Sequence, residues 1–391
     1  MSDPGSRLLN VQDPVIPLVQ RWVRENPGTI SLGQGVVSYG PPREALEALQ
    51  TFGKNEHDHR YGPVAGDAEL IEAIEAKLSR ENGICIGSSR RIMVTAGSNM
   101  GFFEIIQALT APDDEVLLPS PFYFNQEMAV RMLGCTPVAV PTRGNFQLDI
   151  SALSNAITSK TRAIVTVSPN NPTGQVYPES DLRAVNALCR DRGLFHLSDE
   201  AYEYFVWDGQ RHFSPASIVG SEDHTISFFS LSKAFGFAGW RIGYMVLPAL
   251  LEPILNKIQD TNLICAPRPS QRAALACLRV GRSYFEAQSK LLQPLKSDVL
   301  NLLHALGPLI ESVPEASGAF YIFIKVRTSM SALVLAERLV REHGVAVVPG
   351  EAFGMKGGCY LRVAYGAPDS QRVIEGFSRL VYGIRAICPA P

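Results

Sequence analysis

The sequence lacks the features that mark membrane-spanning, secreted and disulfide-bonded proteins. No uncharged apolar run reaches the roughly 18 residues of a membrane-spanning helix. Residues 1–7 lack the basic and then apolar order of a signal peptide. The seven cysteines are an odd number and form no C-x-x-C pair of the kind that binds zinc or carries redox chemistry. We therefore expect a cytoplasmic protein with reduced thiols.

The sequence also lacks an excess of one charge. It has 36 Lys and Arg against 38 Asp and Glu, with a formal net charge of −2. Proteins that bind nucleic acid or anionic membranes usually carry a basic excess or a basic segment. We expect neither partner, and a small-molecule substrate is the default.

Several short catalytic motifs are absent. There is no G-x-x-x-x-G-K-[ST] loop, and the Gly33-Gln-Gly35 stretch lacks the third glycine of a dinucleotide fingerprint. H-E-x-x-H and G-x-S-x-G are also missing. His57 and His59, two residues apart, are typical of a solvent-facing segment, so we predict no metal site. Nucleotide binding, zinc hydrolysis and serine-hydrolase chemistry therefore lack support.

What the sequence does contain is a repeated order of strands and helices. Between about residues 67 and 247, amphipathic helical stretches alternate with short β-branched runs. That order is typical of an α/β fold with a parallel sheet covered on both faces. The strand candidates are residues 91–95, 115–118, 136–140, 163–167, 195–198, 224–229 and 242–247.

The character of the sequence changes after residue 247. Long helical stretches follow at about 249–263 and 283–306, then a strand at 320–324 and a helix-strand-strand-helix tail. The first 45 residues contain no β/α unit of their own. We predict a large domain over 46–280 and a smaller α+β domain over 281–391, which the segment 1–45 crosses to join.

A loop with reactive and phosphate-binding side chains follows the strand candidate at 224–229. It reads SLSKAFGFAGWRIGY and contains Ser230, Ser232, Lys233 and Arg241. In an open α/β sheet, the loops beyond the carboxyl ends of the strands form the ligand crevice. A lysine there can form a Schiff base with an aldehyde, while hydroxyls and an arginine suit a phosphate monoester.

This loop resembles the lysine signature of the class I/II, fold-type-I pyridoxal-phosphate (PLP) aminotransferases. SPNNPTG at 168–174 resembles the family's N-P-T-G turn, and LSDEAY at 197–202 resembles its D-E-x-Y strand end. The order and approximate spacing of the three motifs also fit, and the resemblance runs from about Gly33 to Arg362. It implies a mostly parallel seven-stranded sheet between helices, with a smaller α+β domain built from both termini.

The resemblance assigns four residues to the cofactor ring. Lys233 forms the Schiff base with PLP and moves the proton at the substrate α-carbon. Asp199 pairs with the pyridine nitrogen and keeps it protonated. Tyr202 and Asn171 hydrogen-bond to the phenolic oxygen, and Asn171 also borders the substrate.

The resemblance also implies how the phosphate and the ring face are held. Arg241 binds the phosphate as a charged fork, together with the hydroxyls of Ser230 and Ser232. Ser98 and Asn99 open a helix whose N-terminus suits a dianion. Tyr123 occupies the position of the aromatic ring that stacks on the pyridine.

Three further residues concern the substrate and the oligomer. Arg362 matches the family's arginine for the substrate α-carboxylate, and Gly35 matches a glycine whose backbone lies beside that carboxylate. Tyr61 resembles the tyrosine that reaches the phosphate of the neighbouring subunit's cofactor. The resemblance therefore implies a homodimer.

Transamination is the leading functional hypothesis: an amino acid and a 2-oxo acid exchange nitrogen through the cofactor in a ping-pong mechanism. Elimination or replacement at the substrate β- or γ-carbon needs the same residues and stays open. A PLP-binding regulatory module is a third alternative, although the sequence shows no basic helix-turn-helix segment.

The choice of substrate has less support in the sequence. Dicarboxylate-specific members of the family often supply a second arginine after the lysine loop, but residues 260–267 contain none and Arg268 lies just beyond. Gly35-Val-Val-Ser-Tyr39 departs from the more usual G-x-P-x-F pattern. We predict neutral, apolar or aromatic amino donors, with 2-oxoglutarate or another 2-oxo acid as acceptor.

Overall fold

The computed structural model describes residues 6–311, 313–366 and 369–388. The expectation about a signal peptide rests partly on residues 1–5, which lie outside the described residues. The helices are α1 (Val15–Glu25), α2 (Arg43–Leu49), α3 (Ala68–Lys77), α4 (Ser98–Leu109), α5 (Phe124–Met132), α6 (Ile150–Ala156), α7 (Glu179–Arg192), α8 (Leu231–Ala234), α9 (Glu252–Asn262), α10 (Arg268–Val280), α11 (Arg282–His304), α12 (Ala332–His343) and α13 (Ser370–Ile387).

The strands form three sheets. They are β1 (Ile30–Ser31), β2 (Arg90–Thr95), β3 (Glu115–Ser120), β4 (Thr136–Pro141), β5 (Thr161–Val167), β6 (Phe195–Asp199), β7 (Thr225–Ser230), β8 (Gly243–Pro248), β9 (Tyr321–Val326), β10 (Val345–Ala346), β11 (Val348–Pro349) and β12 (Cys359–Ala364).

The largest sheet has seven strands in the order β2-β8-β7-β6-β5-β3-β4. β8 pairs antiparallel with both of its neighbours, and the other pairs are parallel. Its inner strands are apolar on both faces because helices cover both sides, as Ile164 and Val165 of β5 illustrate. The predicted mostly parallel seven-stranded fold is confirmed, and each of the seven strand candidates is a strand of this sheet.

The parallel pairing brings three strand ends to one edge. β5, β6 and β7 run side by side and end at Val167, Asp199 and Ser230. α8 begins directly after β7, and α4 begins one short turn after β2. Both helices therefore start beside the same edge. Residues far apart in sequence therefore meet there.

The N-terminal and C-terminal parts of the chain form two small sheets. β1 pairs with β10 in parallel, and β9, β12 and β11 form an antiparallel sheet. The amphipathic helix α1 buries Val15, Val19 and Trp22, which lie on one face, and packs against α12. Arg362 on β12 is paired with Phe323 on β9.

Among the described residues, no helix combines the length and apolar character needed to cross a membrane.

Candidate active site

A polar cavity of about 180 Å³ lies at the edge of the large sheet where β5, β6 and β7 end. Ten residues predicted from the sequence to bind a cofactor line it together with Val167 and Ala201. The ten are Ser98, Asn99, Tyr123, Asn171, Asp199, Tyr202, Ser230, Ser232, Lys233 and Arg241.

Lys233 lies on α8, the short helix that follows β7. The Ser230 hydroxyl caps this helix by accepting a hydrogen bond from the Ser232 backbone N–H at 3.2 Å. The Lys233 amine donates to the Gly35 carbonyl at 2.6 Å. Burial lowers the pKa of Lys233 to about 8, and the nearby charges of Arg362 and Arg241 add to the decrease. The amine is thus much closer to its neutral, nucleophilic form than an exposed lysine.

Asp199 is the last residue of β6 and is only 9% exposed. Its carboxylate accepts a hydrogen bond from Gln126 Nε2 at 2.8 Å and one from the Ala201 backbone N–H at 3.1 Å. Burial raises the pKa of Asp199 to about 6, and the carboxylate of Glu200 adds to the rise. A buried carboxylate with two fixed donors is oriented to bind a further N–H group in the cavity.

Tyr202 links the cavity to the small antiparallel sheet. Its hydroxyl lies 2.7 Å from the Tyr321 hydroxyl, and Asn171 Nδ2 approaches it at 3.5 Å. Burial raises the pKa of Tyr202 well above its usual value, and Tyr321 contributes to the rise. The neutral phenol is therefore available as a hydrogen-bond donor.

The opposite end of the cavity is built for an anion. Arg241 has a left-handed backbone (φ 56°), and its guanidinium packs so closely on Gly97 that a Cβ there would collide with it. Helix α4 starts at Ser98 without a side-chain cap, which leaves its first backbone N–H groups to a ligand. With the hydroxyls of Ser98 and Ser230, this donor set fits the phosphate of the cofactor that the resemblance implies.

Tyr123 precedes α5 and forms a wall of the cavity. Its hydroxyl accepts hydrogen bonds from Asn125 Nδ2 at 2.9 Å and from Asn99 Nδ2 at 3.4 Å. The tyrosine is thus tied to the start of α4, beside the anion-binding end.

Arg362 is a buried cation, only 2% exposed. It donates to Asn171 Oδ1 at 2.8 Å and to the Gly33 carbonyl at 2.6 Å, and it lies over the Tyr321 ring at 4.6 Å. Within the described ranges, its Nε has no partner and no carboxylate pairs with it. A desolvated guanidinium without a counter-ion suits an anionic ligand.

A second cavity, of about 190 Å³, adjoins the first. The two share Tyr123, Asn171, Tyr202 and Lys233, and the second also exposes Arg362 and Gly35. A Cβ at Gly35 would collide with the Tyr321 hydroxyl, so that a larger residue there would displace Tyr321. The lysine amine thus lies between an anion-binding cavity and a cavity with its own arginine.

Tyr61 is the one predicted cofactor residue that lines neither cavity. It is 80% exposed in the loop between α2 and α3. Arg268 binds this loop by donating to the His57 carbonyl and by pairing with Asp67 at 3.3 Å. Arg268 therefore holds the Tyr61 loop and contributes to neither cavity.

Two residues of the site were not identified from the sequence. Gln126 lies three positions after Tyr123, the residue that precedes α5, and this spacing of about one helical turn was the available signal. Tyr321 lies in the strand predicted at 320–324. Its pairing with Ala364 of β12 sets its position, and that pairing is not visible in the sequence.

The described residues contain no group of three or more His, Cys, Asp or Glu side chains arranged to hold a metal ion.

Comparisons with known proteins agree with this geometry. The family model for class I and II aminotransferases matches residues 27–380. The chain is 34% identical to aromatic-amino-acid aminotransferase 2 of Thermococcus litoralis, over 90% of this chain and 91% of that one. It is also 34% identical to an aspartate aminotransferase of Pyrococcus abyssi, over 90% of both.

The fold has solved counterparts as well. A single mutant of aspartate aminotransferase from Thermus thermophilus superposes with a TM-score of 0.90 at 29% identity, covering 98% of this chain and all of that one. The chain therefore belongs to the class I and II aminotransferase family and is a PLP-dependent transaminase.

Proposed function

We propose that the enzyme moves an amino group from an L-amino acid with a neutral, apolar or aromatic side chain to a 2-oxo acid, in two half-reactions at one site. The observation that carries the proposal is the position of Lys233 between the two cavities, with an anion-binding end on one side and Arg362 on the other. We expect an amino acid held by its carboxylate at Arg362 to have its α-carbon near Lys233, because both residues line the second cavity.

The cofactor supplies an aldehyde that condenses with amines and a ring that accepts the electron pair left at the substrate α-carbon. We assign the covalent attachment of PLP and the transfer of the α-proton to the amine of Lys233. Its lowered pKa supports this role, because a neutral amine can accept a proton near neutral pH.

The other side chains orient the reactants. We assign Asp199 to the pyridine nitrogen, with Gln126 fixing the carboxylate. We assign Tyr202 and Asn171 to hydrogen bonds with the phenolic oxygen, and Tyr123 to stacking on the face of the ring. The phosphate is assigned to Ser98, Asn99, Ser230, Ser232 and Arg241.

We assign the α-carboxylate of the substrate to Arg362, with Gly35 and Asn171 beside it. The charges of the two cavities support neutral donors. Lys233, Arg241 and Arg362 are the cations that line them, and Asp199 is the anion. Arg241 and Arg362 are the only arginines among the described residues that line these cavities within one subunit, and they are assigned to the phosphate and to the α-carboxylate.

We also propose a homodimer in which Tyr61 completes the neighbouring phosphate site. The exposure of this large aromatic side chain on a loop braced by Arg268 supports the proposal. A cytoplasmic location is proposed as well, supported by seven cysteines that are all unpaired.

The domain division stays a proposal: a large domain over 46–280, a small one over 281–391, and the segment 1–45 joined to the small one. Pairing of β1 with β10 supports the last point. Packing of α10 on α2 and α3, and of α11 on α13, supports a boundary near residue 280.

The proposed reaction is tested by a half-reaction without an acceptor. The PLP-loaded enzyme is incubated with single amino acids, and pyridoxamine phosphate and the matching 2-oxo acid are measured. We expect both products with neutral donors. If no donor gives pyridoxamine phosphate, or if ammonia and an eliminated group appear instead, transamination is wrong.

A further inference from the structure

We infer that the preferred substrate side chain is uncharged and ends in a hydrogen-bonding group, such as a carboxamide or a phenol, and that Gln20 and Gln34 recognise this group. The inference rests on the proposed function, because it concerns the cavity to which we assign the substrate. It goes beyond that proposal by distinguishing among neutral amino acids.

Two glutamines line the substrate cavity on the side contributed by the N-terminal segment. Gln20 lies one helical turn after Ile16, so that both project from the same face of α1 into the cavity. Gln34 and Val36 belong to the segment that follows β1. A neighbouring face of α1, with Val15, Val19 and Trp22, is buried in the core, so Ile16 and Gln20 stand on a fixed support.

Both amide groups are free to bind a ligand. The side chains of Gln20 and Gln34 are half-buried, and neither forms a hydrogen bond with another residue of the described chain. A carboxamide offers two N–H donors and one carbonyl acceptor. When a substrate fills the cavity and displaces water, these groups lose hydration unless the substrate provides partners.

Apart from these glutamines and the residues assigned to the cofactor and the α-carboxylate, the wall that this subunit contributes is mostly apolar. Ile16, Val36 and Phe124 are suited to the aliphatic or aromatic body of a side chain. Tyr321 is already engaged with Tyr202. Apolar side chains beside two neutral amides match a long side chain with a polar, uncharged end, whereas a carboxylate placed at these amides would lose hydration without gaining a cation there.

The test compares matched donors in the half-reaction of the PLP-loaded enzyme. Glutamine, methionine and glutamate have similar lengths and differ in the end group, and tyrosine differs from phenylalanine by one hydroxyl. We expect kcat/KM to be about tenfold higher for glutamine than for methionine, and for tyrosine than for phenylalanine. Among glutamine, methionine and glutamate, we expect the lowest kcat/KM for glutamate. Equal values within both pairs would overturn the inference.

Two variants identify the residues responsible. Gln20→Leu and Gln34→Leu should each lower the glutamine-to-methionine ratio towards one, whereas Gln293→Leu, at an exposed position on α11, should leave it unchanged. The ratio is unaffected by a loss of active protein, and the wild-type donor series tests the inference even if a variant does not fold. A ratio that stays high in both variants would contradict the role of the glutamines. Absence of pyridoxamine phosphate with every donor would instead refute the proposed transamination.

Discussion

Burial sets the chemical state of the main side chains at this site. Lys233 and Asp199 are both buried, and burial disfavours the charged form of each, which moves the two pKa values towards neutrality. With a pKa of about 8, the Lys233 amine is present in both protonation states near neutral pH and can exchange protons.

The first prediction concerns the amine of Lys233 before the cofactor binds. Only the neutral amine attacks an aldehyde, so the rate at which the apoenzyme takes up PLP should follow its deprotonation. With a pKa of about 8, the neutral fraction grows about fivefold from pH 7 to pH 8 and less than twofold from pH 8 to pH 9. Recovery of the cofactor absorbance after mixing measures this rate. A rate that keeps rising steeply to pH 10 would mean that the pKa of Lys233 is not lowered.

A second prediction concerns Arg362. Replacing Arg362 by Ala removes the charged partner of the substrate carboxylate, and the loss of such a contact in a buried site corresponds to at least about a 30-fold increase in KM for the amino donor. Arg362→Lys keeps the charge without the planar fork, so its KM should lie between those of the wild type and of Arg362→Ala. Steady-state kinetics gives these values, with Arg279→Ala on the exposed face of α10 as control. An unchanged KM would remove Arg362 from the substrate site.

Among the individual residues of the site, those within contiguous sequence motifs could be predicted. Lys233, Asp199, Asn171 and Arg241 are examples, and all four line the same cavity. The supporting contacts could not be predicted, because Gln126 and Tyr321 act across long sequence separations. The hydrogen bond from Gln126 to Asp199 spans 73 residues.

Among the elements, α4 carries an unusual residue. The helix begins at the anion-binding end of the cavity and packs against β7, β8 and α9. Glu104, in its middle, is fully buried, and neither carboxylate oxygen has a hydrogen-bond partner among the described residues. Burial raises the pKa of Glu104 to about 7.

This carboxyl group should make stability depend on pH. Between about pH 4.5 and pH 7 the folded state binds more protons at Glu104 than the unfolded chain, so stability falls as the pH rises through this window. Glu104→Gln should remove this loss and stabilise the protein by up to about 3 kcal/mol at pH 8, but little at pH 4.5. The thermal midpoints of variant and wild type at both pH values measure the difference.

The control for this change is Glu75→Gln, at an exposed position on α3. It should leave the thermal midpoint nearly unchanged at both pH values. A stabilisation by Glu104→Gln that is equal at both pH values would mean that ionisation of Glu104 is not the cause.

Secondary structure could be predicted where the hydrophobic pattern of the sequence extended over enough residues. The seven strands of the large sheet are five to seven residues long, and their apolar runs stand out between helices. β1, β10 and β11 have two residues each, too few for any periodicity. The tail therefore contains three strands after α12 where two were predicted, since only tertiary pairing defines the short ones.

For the molecule as a whole, the proposed role of Tyr61 involves two subunits. In the chain itself it is exposed and lines neither cavity. If the proposed homodimer is right, each phosphate site combines Lys233 of one subunit with Tyr61 of the other.

Mixed dimers test this arrangement. Lys233→Ala removes the cofactor bond, and Tyr61→Ala should weaken PLP binding in the partner's site. When the two variants are unfolded, mixed in equal amounts and refolded, about a quarter of the sites should be intact, because half of the dimers are hybrids with one complete site each. Activity at limiting PLP should then exceed that of either variant alone. No gain on mixing would mean that Tyr61 does not act across subunits.

We propose that Lys233 is the residue that carries the cofactor, and chemical trapping identifies this residue. The PLP-loaded protein is reduced with borohydride, which makes the bond between cofactor and lysine permanent, and its peptides are analysed by mass spectrometry. We predict a single pyridoxyl phosphate group, on the peptide that contains Lys233. A cofactor group on another lysine, or an unmodified Lys233 in the fully loaded protein, would exclude Lys233 as the attachment site.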